Sequence, residues 1–212
     1  MHRITGAGIM GVMVIVAMAL LGIRIGSAPS MHHDDYISLI AATGHMGEYI
    51  REAPRNRWVT AAEWQRLWQP KDFGCFNRIA RDLCDEDIHP PLYFWLLHVW
   101  LHLVGASPLA GPALNGILLS VTAALVYRLV RRIGISPAGA ATGCIFLLAN
   151  ASSLETLTFT RQYMLLALLT AGILYASVNI YRSAGFRWYL VLTVLGSAAF
   201  FTHFQSLVTL VL

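Results

Sequence analysis

Apolar and polar positions alternate along this chain in long blocks. Residues 6–26, "GAGIMGVMVIVAMALLGIRIG", form a first apolar run, about the 20 residues needed to cross roughly 30 Å of hydrocarbon at 1.5 Å per residue. A polar stretch follows from about residue 28 to residue 90. Within it "TAAEWQRLW" sets Trp64, Leu67 and Trp68 at i, i+3, i+4, which predicts a short helix with one apolar face. Further apolar runs occupy residues 109–127, 140–151, 164–181 and 188–212. Residues 91–105 are too short for an easy span, begin at a proline pair and contain His98 and His102. They predict a helix lying at, or dipping into, the membrane surface, with the two histidines as amphipathic interfacial rings. The pattern predicts an all-α polytopic membrane helix bundle, a single membrane domain over 1–212 with an outer loop over 28–108 that carries short surface helices.

Composition agrees with that pattern. The chain is 57% hydrophobic and only 12% charged, well outside the balance of a soluble domain. Its basic excess forms no run interleaved with aromatics, so nucleic acid is excluded as a partner. The first run could be a cleaved signal ahead of "GSAPS", but it exceeds an ordinary signal core and reads as an uncleaved anchor. Cys75 and Cys84 could close one small loop if that side is oxidising, while Cys144 lies in an apolar run.

Charge fixes an expected orientation. If residues 91–105 do not cross, then Arg3, the Arg128, Arg131 and Arg132 group, and Arg182 with Arg187 all fall on one side, as short cytoplasmic segments should. The N-terminus would then be cytoplasmic, in a multi-pass membrane protein. Of eleven acids, ten lie between Asp34 and Asp87 and the other is Glu155, which places every carboxylate on the outer face.

Asp34 and Asp35 follow the first run closely, and Glu155, Arg161 and Tyr163 come to the same level. A carboxylate can take a proton from a hydroxyl, and a guanidinium can hold a phosphate through its fork of donors. The set suits transfer from a lipid phosphate to a hydroxyl. Plainer roles stay open: Asp34 as the N-cap of "DYISLIAATG", His89 as a cap before Pro90 and Pro91, Arg161 with Tyr163 as a snorkelling pair, and Asp82, Asp85, Glu86 and Asp87 as a solvated face. His203 is a polar group in the last apolar run, hence a functional candidate. His32, His33 and Asp35 are candidate ligands for a divalent cation.

The succession "DDYISLI", "HPPLYFWLLHVWLHLVG", "YRLVRRIG", "TRQYMLLALL" and "FFTHFQSL" resembles the N-terminal half of the GT-C glycosyltransferases, in the branch of protein O-mannosyltransferases and lipid-A-type sugar transferases. The resemblance implies a membrane enzyme that moves a sugar from a polyprenyl-phosphate donor to a glycan, lipid or protein acceptor on the outer face. It also implies that Asp34 is the catalytic acid or base, with Asp35, where relatives carry Glu or another acid, as the second catalytic candidate. On the chemistry of the residues themselves, Arg161, Tyr163, His89, His203 and Glu155 are the candidates for holding substrate. Where relatives often have an Arg before the second full span, this chain has "SPLAGPALNG". Such enzymes are usually at least twice as long, so the alternative is a non-catalytic or incomplete membrane component: a truncated or split half that takes its missing spans from a second chain, or a small transporter.

Overall fold

The computed structural model describes residues 31–53, 56–70, 72–183 and 185–211, with some positions between 12 and 23. Those early positions are helical, and Val16 and Leu20 pack on the core. Whether the first run is cleaved lies outside the described residues. Among the described residues there are helices and turns and no strand.

The polar stretch that follows the first apolar run folds as a cap of short helices. Helix α1 (His33–Ala42) and α2 (Met46–Glu52) turn about Gly44, whose φ of 72° is the left-handed conformation that glycine adopts without strain. Helix α3 (Ala61–Gln65) begins at Thr60, whose hydroxyl accepts the Glu63 N–H, and continues as a tight 3₁₀ turn over Arg66–Trp68. The aromatic side of that predicted helix is the buried one. Leu67 and Trp68 are buried, and Tyr36 stands edge-on to both Trp64 and Trp68 while its hydroxyl donates to the Trp64 carbonyl.

Helices α4 (Phe76–Glu86) and α5 (Leu92–Val104) complete the cap. Tyr93, Phe94, Leu97, His98 and Leu101 make one buried stripe along α5. His98 is therefore no interfacial ring: it is fully buried, its Nδ1 2.7 Å from the Ala42 carbonyl oxygen and its Nε2 3.1 Å from that of Phe73. The stripe repeats at i, i+4, i+8, so burying Tyr93 and Leu97 also brings His98 inward. His102 is half-buried against the Phe73 ring.

Cys75 and Cys84 are free thiols, the first buried and the second exposed. They stand at the start and near the end of α4, so helical rise separates them by about 13 Å, well beyond the Cα separation a disulfide spans. Cys144 is buried and donates to the Ala123 carbonyl at 3.3 Å.

Helices α6 (Ala110–Arg132) and α9 (Tyr163–Ser183) are each long and apolar enough to cross a membrane. Between them, α7 (Pro137–Ala149) and α8 (Ala151–Thr158) form a pair bent by 53° that would pass as one broken span. Asn150 makes the break: its backbone is extended and its side chain caps α8 by accepting the Ser153 N–H. Both α6 and α9 start beside residues 159–160 and run the same way, ending at Arg131–Arg132 and Arg182.

The last apolar run is not one helix. Helix α10 (Phe186–Phe200) stops, and α11 (Ser206–Val211) starts after a break containing His203 and Gln205. The Phe201 carbonyl left free there accepts the Leu92 N–H at 3.0 Å, which ties the start of α5 to the end of α10.

Candidate active site

The start of α1 decides what the two neighbouring aspartates can do. His32 is the N-cap and its Nδ1 accepts the Asp34 N–H. Counting from that cap, Asp35 is the third helical residue, whose side chain can reach back. It accepts the His32 N–H at 3.0 Å through Oδ2. Capping therefore falls to Asp35 together with His32, and Asp34 is left out of it.

Asp34 faces Arg161. Its Oδ2 lies 3.0 Å from a guanidinium nitrogen, with the carboxylate half-exposed and the arginine side chain largely covered. The hydrogen bond and charge of Arg161 hold the Asp34 carboxyl below its usual 3.8, against a smaller opposing effect of burial. A carboxylate kept ionised and open to solvent is free to accept a proton, and its lowered value makes it a weak base that takes that proton only as the donor oxygen becomes acidic in the transition state.

Asp35 turns inward. It is 5% exposed, and its Oδ1 accepts the Thr160 N–H at 2.5 Å. Burial raises its carboxyl above 3.8, partly offset by the Thr160 and His32 amides. Thr160 is also buried, so close to Gly111 that a Cβ there would collide with its side chain. The Asn115 amide donates to the Phe159 carbonyl and approaches those of Thr156 and Leu157.

A second cluster adjoins the first. His89 Nδ1 is 2.6 Å from Asp87 Oδ1, and the same carboxylate accepts the Ile88 N–H. Burial pushes the Asp87 carboxyl up, but the His89 and Ile88 hydrogen bonds and the charges of His89 and Arg161 outweigh it and leave it lowered. The His89 ring centroid is 5.8 Å from that of His203, which in turn lies 5.9 Å from that of Tyr163. Asp87 thus belongs with the site and not to a solvated acidic face. Its signal in the sequence was the Asp87–x–His89 spacing held just ahead of a proline pair. Asp85 and Glu86 are exposed.

Asp34 with Arg161, and Asp87 with His89, His203 and Tyr163, so form two neighbouring sets, linked by the charge of Arg161 acting on Asp87. Glu155 stands apart, exposed on α8 and in no ion pair among the described residues. His32 stacks edge-on against Phe159, and His33 is exposed. Among the described residues no three His, Cys, Asp or Glu side chains converge as metal ligands.

Comparison with known proteins bears on the scaffold of these sets. The profile of the dolichyl-phosphate-mannose-protein mannosyltransferases matches residues 88–212, more than half of the chain. The chain belongs to this mannosyltransferase family. It is a membrane glycosyltransferase of the GT-C type, an integral all-helical protein. The searches of curated proteins and of solved structures gave no significant match. The mannosyltransferase match takes in His89, Arg161, Tyr163 and His203 and begins after Asp34, Asp35 and Asp87. Those three are joined to it by the Asp34–Arg161, Asp35–Thr160 and Asp87–His89 contacts.

Proposed function

We propose that the protein transfers a sugar from a polyprenyl-phosphate donor to an acceptor hydroxyl at the outer face of a bacterial inner membrane, with Asp34 as the base. The observation that carries this reading is the half-exposed Asp34 carboxylate paired with Arg161 at 3.0 Å. The family's name specifies dolichyl-phosphate mannose as donor and protein as acceptor; for this chain the donor class is the polyprenyl-phosphate sugar, and the acceptor a glycan, lipid or protein.

In this reading the acceptor O–H gives its proton to Asp34, and the acceptor oxygen attacks the anomeric carbon. The bond from that carbon to the phosphate oxygen breaks, and its electron pair leaves with the polyprenyl phosphate. Arg161 and His89, fixed in advance, face the charge that develops there. Tyr163 and His203 adjoin His89 through ring contacts, and the assay below includes a divalent cation. The orientation is supported by the arginine-rich ends of α6 and α9, which lie away from the site, as cytoplasmic ends would.

The test is transfer of radiolabelled sugar from polyprenyl-phosphate donors, with and without divalent cation, in membranes holding wild type or Asp34→Asn. The expected loss is about 10²–10⁴-fold at unchanged expression. Equal transfer by both proteins would remove Asp34 from the chemistry.

A further inference from the structure

Asp35 stands beside the proposed base yet has a different set of partners. Its carboxylate is buried, one oxygen accepts the His32 N–H and the other the Thr160 N–H. Thr160 lies in the short non-helical link between α8 and α9, one residue before Arg161. That link is held at two further points, by Asn115 on the Phe159 carbonyl and by the tight seat of Thr160 against Gly111. Arg161 has five donors on a long side chain with several rotatable bonds, so the position of its backbone decides where the fork can reach. The same carboxylate also fixes the start of α1, which carries Asp34.

We infer that Asp35 is a positioning residue, whose buried carboxylate joins the start of α1 to the Phe159–Thr160 link and so sets Arg161 against Asp34. The inference rests on the proposed transfer at Asp34. Asp35 itself takes no proton from the acceptor and touches neither substrate. An aspartate is needed because two N–H groups converge on it. Asparagine offers one oxygen and turns its own N–H toward the second donor, and alanine offers neither acceptor.

The experiment uses the full chain in membranes or nanodiscs and compares wild type with Asp35→Ala, Asp35→Asn, Arg161→Ala and the double variant Asp35→Ala/Arg161→Ala. Two readouts are taken: amide hydrogen exchange over residues 157–163, and transfer from a polyprenyl-phosphate sugar donor resolved into kcat and donor KM. Asp35→Ala is expected to speed exchange in that segment by about tenfold while the interiors of α6 and α9 keep their protection. Transfer should fall by about tenfold, and the double variant should match Arg161→Ala within about twofold, because coupled residues are not additive. Asp35→Asn, the milder change, should show the same pattern at smaller amplitude if the alanine variant does not accumulate.

Unchanged exchange at 157–163, or losses that multiply in the double variant, would overturn the positioning role and leave Asp34 as the base. Wild-type transfer by Arg161→Ala would instead sink the reading of the site, and the inference with it.

Discussion

The Arg161 guanidinium lies 3.0 Å from the Asp34 carboxylate and is the largest influence holding that carboxyl below 3.8. A base whose ionised form is favoured stays active into acid, because the limb of kcat/KM at low pH follows its protonation. Replacing Arg161 with Gln removes the lowering influence, so the acid limb should move up toward the ordinary carboxylate value. The loss at neutral pH should be on the order of tenfold to a hundredfold, the worth of a charge-assisted hydrogen bond. The pH profile of sugar transfer by wild type and Arg161→Gln checks both, and an unmoved limb would mean that another group sets it.

The same pair makes a small contribution to the stability of the fold with a defined sign. A lowered folded-state carboxyl contributes stability above its unfolded value of 3.8 that is lost as pH falls through the lower folded value. Wild type should therefore lose more thermal stability than Arg161→Gln on going from pH 5 to about pH 3. Because Asp34 is half-exposed, solvent screening keeps that difference small.

Asp87 and His89 should act as one unit. The carboxylate accepts from Nδ1, which fixes the tautomer and turns Nε2 away from Asp87. Loss of either partner leaves the other misplaced. Asp87→Asn and His89→Ala are each expected to raise the donor KM, and the double variant to be no worse than His89→Ala alone. Additive effects on donor KM would separate the two residues.

What the chain revealed in advance was whatever depends on neighbours in sequence. The lengths of the apolar runs gave helices α6 and α9, the 60–68 pattern gave the aromatic face of α3, and an ordered set of short motifs pointed to the transferase family. The division of labour between Asp34 and Asp35 was not legible. It turns on whether α1 is capped by His32 or by Asp34, a shift of two positions that sends a different carboxylate to the cap. The burial of His98 and the recruitment of Asp87 depend on contacts with Phe73, Ala42 and His89 that only the assembled cap creates. The break in the last apolar run is also a product of packing, since the carbonyl it frees at Phe201 is taken up by Leu92.

Gly111 offers a test of how tightly the site is seated. A methyl group there would meet the Thr160 side chain well inside van der Waals contact, whereas one at Gly143 on α7 meets nothing within 4 Å. Gly111→Ala should cost about 1–3 kcal/mol through overpacking and also lower transfer, since Thr160 precedes Arg161. Gly143→Ala should be neutral or slightly stabilising, because alanine is the better helix former. Thermal denaturation and transfer by the two variants in detergent check this, and equal behaviour would show that the Thr160 seat is not rigid.

The three cysteines can report orientation without any substitution. Cys84 is exposed on α4, within the cap that carries Asp34, while Cys75 and Cys144 are buried. Burial also raises the Cys75 thiol above its usual value, which keeps it protonated and unreactive. In spheroplasts, a membrane-impermeant maleimide should label Cys84 and leave the other two unmodified until the protein is denatured. Peptide mass spectrometry identifies the labelled position. Since Cys84 sits in the acidic cap and the arginine-rich helix ends lie opposite, labelling of intact spheroplasts at that one residue would place the Asp34–Arg161 pair outside the cell. Labelling only after the membrane is opened would turn the molecule over, put the arginines outside against the usual charge bias, and require the sugar donor to be used on the cytoplasmic face.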